Sequence, residues 1–195
     1  PSGGADPSYI SLDKTGRFAL VANYDGSDVI VLPIRPDGSL GDRTAFDKHT
    51  GTSVTPDRKQ QSYAHSIIVG PTNHYALSAD LGLDRVYIYK FDPETGTLHP
   101  NDPPWYTDRP GSGPRHEIFS PDGKYLYLIH EVGNTISVLS WNSEHGTLTE
   151  LQSISTLPPD FTGKSTAAEI QIHPSGNFLY ASNRNAAKTQ ESTLA

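Results

Sequence analysis

The 195-residue chain has no cysteine, which excludes disulfides, thiolate zinc sites and a thiol nucleophile. It has no methionine and begins at Pro1; the residue of a start codon is absent, so the chain is expected to be a piece from which something was removed or never included. No apolar run approaches the ~18 residues that span a bilayer. The opening PSGGADPSY has neither the basic nor the apolar region of a secretion signal, and no Asn-x-Ser/Thr acceptor occurs. Positive charge is in deficit, with 15 Lys and Arg against 22 Asp and Glu and a net charge of −7. That balance argues against nucleic-acid and membrane partners, which need a broad basic surface, while leaving room for a local cationic pocket.

Several chemical signatures are also missing. There is no His-x-His, HExxH or carboxylate-rich loop, so neither a metal nor another cofactor is expected. There is no GxSxG elbow, and Ser66 beside His65 makes a poor triad because adjacent strand residues face opposite ways. Gly111-x-Gly113-Pro lacks the helix with which a phosphate-cradling loop works.

What the chain has in quantity is turn chemistry. Seventeen Gly and sixteen Pro punctuate strand-like runs, with 34% hydrophobic and 9% aromatic residues, which is the composition of an ordered all-β chain. Four segments align: LDKTGRFALVANY, VGPTNHYALSADL, SPDGKYLYLIHE and HPSGNFLYASNR. With Gly16, Asn73, Gly123 and Gly176 taken as equivalent, the steps are 57, 50 and 53 residues. A second marker, Gly-x-Leu at Gly38, Gly96 and Gly146, follows the first by 22, 23 and 23 residues. Each unit holds four strand-like runs; in the third these are HEIFS, YLYLI, TISVLSW and LTELQSI. Units of roughly 40–50 residues with four strands are β-propeller blades. Residues 1–195 therefore read as one partial propeller domain of about four blades, the last cut after its second strand because AAKTQESTLA lacks a third. A propeller must close to cover its edges, so a fragment of a larger propeller is expected, with completion by another chain or an incomplete sequence as alternatives. The Pro/Gly-rich stretches 53–62, 99–113 and 158–165 read as connections between blades.

Counting from each turn locates the unusual charged groups. Eight residues before the marker lie Ser8, His65, Arg115 and Ala168; eight after it lie Tyr24, Leu81, Glu131 and Arg184. Residues equally far from a hairpin turn end up side by side, and one repeat position in successive blades forms a ring around one channel mouth. His65, Arg115, Glu131 and Arg184 are thus expected to converge. An inter-strand ion pair between Arg115 and Glu131 is the bland alternative, worth about 0–1 kcal/mol at a surface; four ionisable groups at one mouth favour a polar ligand site. His116, His130, Glu117 and Glu169 are placed to extend the mouth, although strand alternation points the neighbours of Arg115 and Glu131 away from it. His74, His99 and His145 fall near turns and read as surface residues.

VANYDGS (21–27), AHS (64–66), ADLGLDRVYIY (79–89), GSGPRH (111–116), HEVGNT (130–135) and ASNR (181–184) resemble the propeller-type lactonases, the family of cycloisomerase-like 6-phosphogluconolactonases and fungal carboxymuconate cyclases. The resemblance implies a seven-bladed propeller, of which this chain is roughly blades two to five. It also implies a site of His, Arg, Glu and a second Arg, falling on His65, Arg115, Glu131 and Arg184. Tyr63 departs from the His-x-His-Ser stretch of many relatives. The implied activity is hydrolysis of 6-phosphogluconolactone to 6-phosphogluconate, a pentose phosphate pathway reaction, with a small anionic lactone or sugar phosphate as ligand and the cytoplasm as location; a secreted or periplasmic relative would look the same. Lactone opening needs a base, an oxyanion holder and a proton donor. Glu131 and His65 are the alternative bases, and a nearby Arg115 would weaken Glu131 in that role. Arg115 and Arg184 would bind the substrate, with His116 beside them. Lactonising carboxymuconate cyclase chemistry and a non-catalytic binding module are the other readings.

Overall fold

The computed structural model describes residues 1–52, 61–185 and 193–194. Within them every regular element is a strand, paired antiparallel with its sequence neighbours in four sheets. The first sheet holds β1 (Pro7–Leu12), β2 (Phe18–Asn23), β3 (Asp28–Pro33) and β4 (Ala45–Lys48); the second holds β5 (Ile68–Val69), β6 (Tyr75–Asp80), β7 (Arg85–Asp92) and β8 (Thr97–Thr107). The third holds β9 (Pro114–Phe119), β10 (Tyr125–His130), β11 (Thr135–Asn142) and β12 (Thr147–Ser155), and the last holds β13 (Ser165–Ile172), β14 (Leu179–Asn185) and β15 (Thr193–Leu194). These are blades of a β-propeller, stacked face to face.

The hairpin turn that sets the repeat has the same geometry each time. The amides of Gly16, Asn73, Gly123 and Gly176 donate to the carbonyls three residues earlier, on Asp13, Gly70, Ser120 and His173. All four residues have positive φ, from 63° to 76°, a conformation open to Gly and tolerated by Asn. Asn73 is therefore the equivalent of the three glycines.

Period-two alternation divides each sheet into two faces. Leu20, Ala22, Val29 and Val31 pack with Ala64, Ile67, Tyr87, Tyr89 and Phe91 between the first two blades. Leu77, Ala79, Val86 and Ile88 meet Leu126, Leu128, Leu139 and Trp141 between the second and third, and Ile129 and Ile136 meet Ala167, Ile170 and Ala181 between the third and fourth. Each large aliphatic buried this way contributes about 1.5–3 kcal/mol. The outer face of the first blade carries Ile10 and Leu12, 63% and 57% exposed.

A second layer of cohesion is polar. Seven residues after each turn marker stands a fully buried polar side chain: Asn23, Asp80, His130 and Asn183. Asp80, His130 and Asn183 each fasten the incoming connection. His49 Nδ1 lies 2.8 Å from Asp80 Oδ2, His130 Nε2 2.6 Å from Asp108 Oδ2, and Thr156 Oγ1 donates to Asn183 Oδ1 at 2.7 Å. The His–carboxylate polarity is reversed between the first two of these latches while the geometry is kept.

Two expectations about connections need correction. Most of 99–113 is not a connection, since β8 runs to Thr107 and only Asp108–Gly113 links the blades. Its prolines are tolerated because β8 is the outermost strand, where a missing N–H faces no partner. Tyr89 pairs with Pro100 and Tyr87 with Trp105, the extra residues bulging out between them. The last blade does have a third strand: Thr193 and Leu194 pair with Asn183 and Ser182. The stretch 158–165 falls in the link from β12 to β13 as expected except for Ser165, which opens β13, whereas most of 53–62 lies outside the described residues.

Candidate functional site

The inner strand of every blade breaks its register at one repeat position. Pairing slips between Pro7 and Tyr9, between Pro114 and His116, and between Ala167 and Ile170. In the second blade it slips between the Ala64–Asp80 bridge and the Ile68–Leu77 pair. The extra residue is Ser8 or Arg115 in the first and third blades; in the second and fourth the slip spans a segment containing His65 or Ala168. A β-bulge re-aims the side chains around it. Here it defeats the alternation that should have turned His116 away, and the Arg115 and His116 side chains lie against each other, Arg115 Nη1 standing 3.3 Å from both ring nitrogens.

Glu131, just beyond β10, is the centre of the cluster. One carboxylate oxygen, Oε2, accepts from Arg115 Nε at 2.9 Å and pairs with Arg184 Nη2 2.8 Å away, with His65 Nε2 at 3.9 Å. The four residues picked out by counting from the turns are thus brought together. Arg115 and Glu131 side chains are mostly covered, whereas Arg184 is 46% exposed and is the accessible cation. Arg115 also donates to the carbonyl of Ala168 at 2.8 Å, and Ser8 Oγ to that of His65 at 3.0 Å. Each bulge residue so holds the equivalent position of the next blade. Tyr24 stacks on Tyr63 with centroids 4.6 Å apart and meets the His65 ring edge-on at 5.2 Å, walling one side of the mouth.

Electrostatics separate the two histidines. Burial pushes His65 down to about 3, with the charge of Arg115 and the neighbouring His116 adding to the effect. It is neutral at ordinary pH, so its contact with Glu131 is not an ion pair, and its Nδ1 is buried without a hydrogen-bond partner. His116 is also lowered by burial, against the opposing hydrogen bond to Glu169. Its Nδ1 lies 2.6 Å from Glu169 Oε2. Burial favours the neutral form of Glu169, but the bonds from His116 and Gln171 outweigh it and hold the carboxyl below its ordinary value.

The other polar residues take different places. His130 is locked in its latch, away from the cluster. Glu117 is buried between the second and third blades, accepts from Ser66 Oγ at 2.5 Å, and is pushed up by burial to about 8. His74, His99 and His145 are exposed. A cleft of about 510 Å³ runs beneath the mouth past Tyr9, Ser11, Lys14, Val69, Glu117 and Gln171. The larger cleft, about 890 Å³, lies on the outer face of the first blade, where Ile10, Val21, Leu32 and Leu40 line it together with Asp42 and Arg43; its largely apolar wall marks an uncovered sheet face more than a ligand pocket.

The profile of the family described as "Lactonase, 7-bladed beta-propeller" matches residues 1–194. The chain belongs to this lactonase family. A 6-phosphogluconolactonase of Bacillus subtilis is 34% identical over 181 residues, covering 93% of this chain and 50% of that protein. One of Serratia proteamaculans is 34% identical over 182 residues, covering 92% and 51%. Among solved structures, the periplasmic gluconolactonase of Pseudomonas aeruginosa superposes with a TM-score of 0.84 at 37% identity, covering 93% of this chain and 51% of that one. The chain spans about half the length of the curated relatives it matches. Within the family's propeller, Glu169 was visible to sequence counting only as a possible extension of the mouth. Its role as partner of His116 had no signal, because the two are 53 residues apart on different blades.

Proposed function

We propose that the propeller to which this chain belongs hydrolyses a sugar-acid lactone, 6-phosphogluconolactone being the favoured substrate. The carrying observation is the convergence of Arg115, Arg184 and His65 on one oxygen of Glu131 at the channel mouth. Two permanently charged guanidiniums beside a carboxylate and two neutral imidazoles supply what lactone opening requires: an anion holder, a proton acceptor and a proton donor. Arg184, half-exposed, is suited to grip an incoming phosphate or the developing oxyanion with forked donors. Arg115, committed to Glu131 and the Ala168 carbonyl, fixes the carboxylate. Further blades covering the apolar face of Ile10 and Leu12 belong to the same proposal, as does the compartment: a phosphorylated lactone implies the cytoplasm, an unphosphorylated one the periplasm.

The test is lactone hydrolysis by the full-length protein, corrected for spontaneous opening, with 6-phosphogluconolactone and gluconolactone compared side by side. Arg184→Ala is expected to raise KM for the phosphorylated lactone much more than for the other. Equal loss on both substrates would count against phosphate recognition by Arg184, and no enzymatic rate on either would sink the lactonase reading.

A further inference from the structure

The His116 imidazole sits where all four blades meet. Tyr9 of the first blade touches it edge-on with centroids 4.8 Å apart, His65 of the second at 5.0 Å, Arg115 lies beside it on the third, and Glu169 of the fourth bonds its Nδ1. We propose that His116, not His65, is the general base and acid of the lactone hydrolysis, and that Glu169 is the positioning residue that orients it; the proposal rests on the lactonase reading above.

The tautomer follows from the partner. An ionised carboxylate only accepts, so Nδ1 carries the proton and Nε2 keeps its lone pair, approached only by Arg115 Nη1 at a long 3.3 Å. Glu169 is itself held at both ends: its amide donates to Ser182 Oγ at 3.0 Å, and Gln171 Nε2 donates to Oε1 at 2.7 Å. His65 has no comparable orienting group, because its Nδ1 is unpartnered and its Nε2 lies beyond hydrogen-bond reach of Glu131. A base oriented by a third group is the recurring arrangement for proton transfer. In the step assigned here, a water oxygen bonds to the lactone carbonyl carbon while one water proton passes to His116 Nε2 and the carbonyl π pair moves onto its oxygen, beside Arg184. Collapse breaks the ring C–O bond, and the leaving alkoxide takes the proton back from Nε2, so that lactone and water become the hydroxy acid.

The charged groups around the ring fix the sign of the pH effect. Glu169 and Glu131 raise the basicity of His116, and Arg115 and burial lower it. Removing the Glu169 charge lowers it further, so the acidic limb of the pH–rate profile moves to lower pH.

The experiment uses the full-length protein with Glu169→Gln and Glu169→Ala. Glu169→Gln is expected to lower kcat by about 10- to 1,000-fold, leave KM within about twofold, and displace the acidic limb downward. An unchanged kcat and limb overturns the proposal. Ring 15N NMR of His116 gives a readout independent of activity and of folding losses in kinetics. The wild type is expected to show the Nδ1–H tautomer with a strongly downfield proton, lost in Glu169→Ala; an Nε2–H tautomer in the wild type overturns the positioning role even if no lactone is turned over.

Discussion

His116 and His130 lie on paired strands of the third blade, and each meets a carboxylate at 2.6 Å. His130 and Asp108 are wholly buried, and the other ring nitrogen of His130 is bonded to Thr135. His116 has only its Nδ1 on a carboxylate, and Glu169 keeps 43% of its side chain exposed. The same two functional groups thus serve as a rivet in one place and as candidate chemistry in the other. The difference is burial and strength of contact: His130 is wholly buried with both nitrogens held, whereas the Nε2 of His116 meets only the Nη1 of Arg115 at 3.3 Å, a long contact that a ligand could replace.

Breaking the rivet should have the largest effect on stability. Asp108→Ala leaves a buried imidazole without its partner and is expected to cost about 3–5 kcal/mol, measured by urea denaturation. Glu169→Gln, where the carboxylate is 43% exposed and the amide oxygen can still accept from His116, should change stability by about 1 kcal/mol or less. A similar loss in both would erase the distinction. For the mouth, Glu131→Ala is expected to lower kcat/KM by about 10²–10⁴-fold, the range of a lost acid–base or charge-positioning group; a rate within twofold of wild type would remove Glu131 from the machinery.

Glu117 sharpens the comparison from the other side, as a buried carboxyl bonded to a hydroxyl and not to an imidazole. Its folded value, pushed up to about 8 from an ordinary 4.5, means that folding is unpenalised below pH 4.5. Stability then falls as pH rises between those two values, by on the order of 3 kcal/mol at neutrality. Glu117→Gln should flatten that slope in thermal unfolding from pH 5 to 8, and an unaltered slope would show that the group titrates normally. The smallest effect is expected at the exposed Arg17–Glu94 pair, 2.9 Å apart. Arg17→Ala should leave the urea midpoint almost unmoved, because solvent screens an exposed pair.

Much of the architecture was legible in the chain. The spacing of Gly16, Asn73, Gly123 and Gly176 marked four hairpins because left-handed turn residues are chemically restricted, and the structure puts positive φ at all four. Counting eight residues either way brought Arg115, Glu131, His65 and Arg184 to one place. Counting missed the bulge at Arg115. Ideal alternation would have sent His116 elsewhere, and a one-residue slip in a ladder leaves no mark in composition. The prolines of β8 misled for a related reason, since an outermost strand and a loop look alike until the neighbouring sheet is known.

By itself, then, the sequence determined the paired inner strands of each blade, their turns, the repeat and the shared level of four charged residues, because each depends on local backbone chemistry recurring at a fixed interval. Only the tertiary structure decided which imidazole received a carboxylate, which was locked away, and which was left unpartnered. Those outcomes depend on contacts between blades and their connections, where residues 22 to 53 positions apart meet and where burial, not residue type, sets the charge each group carries.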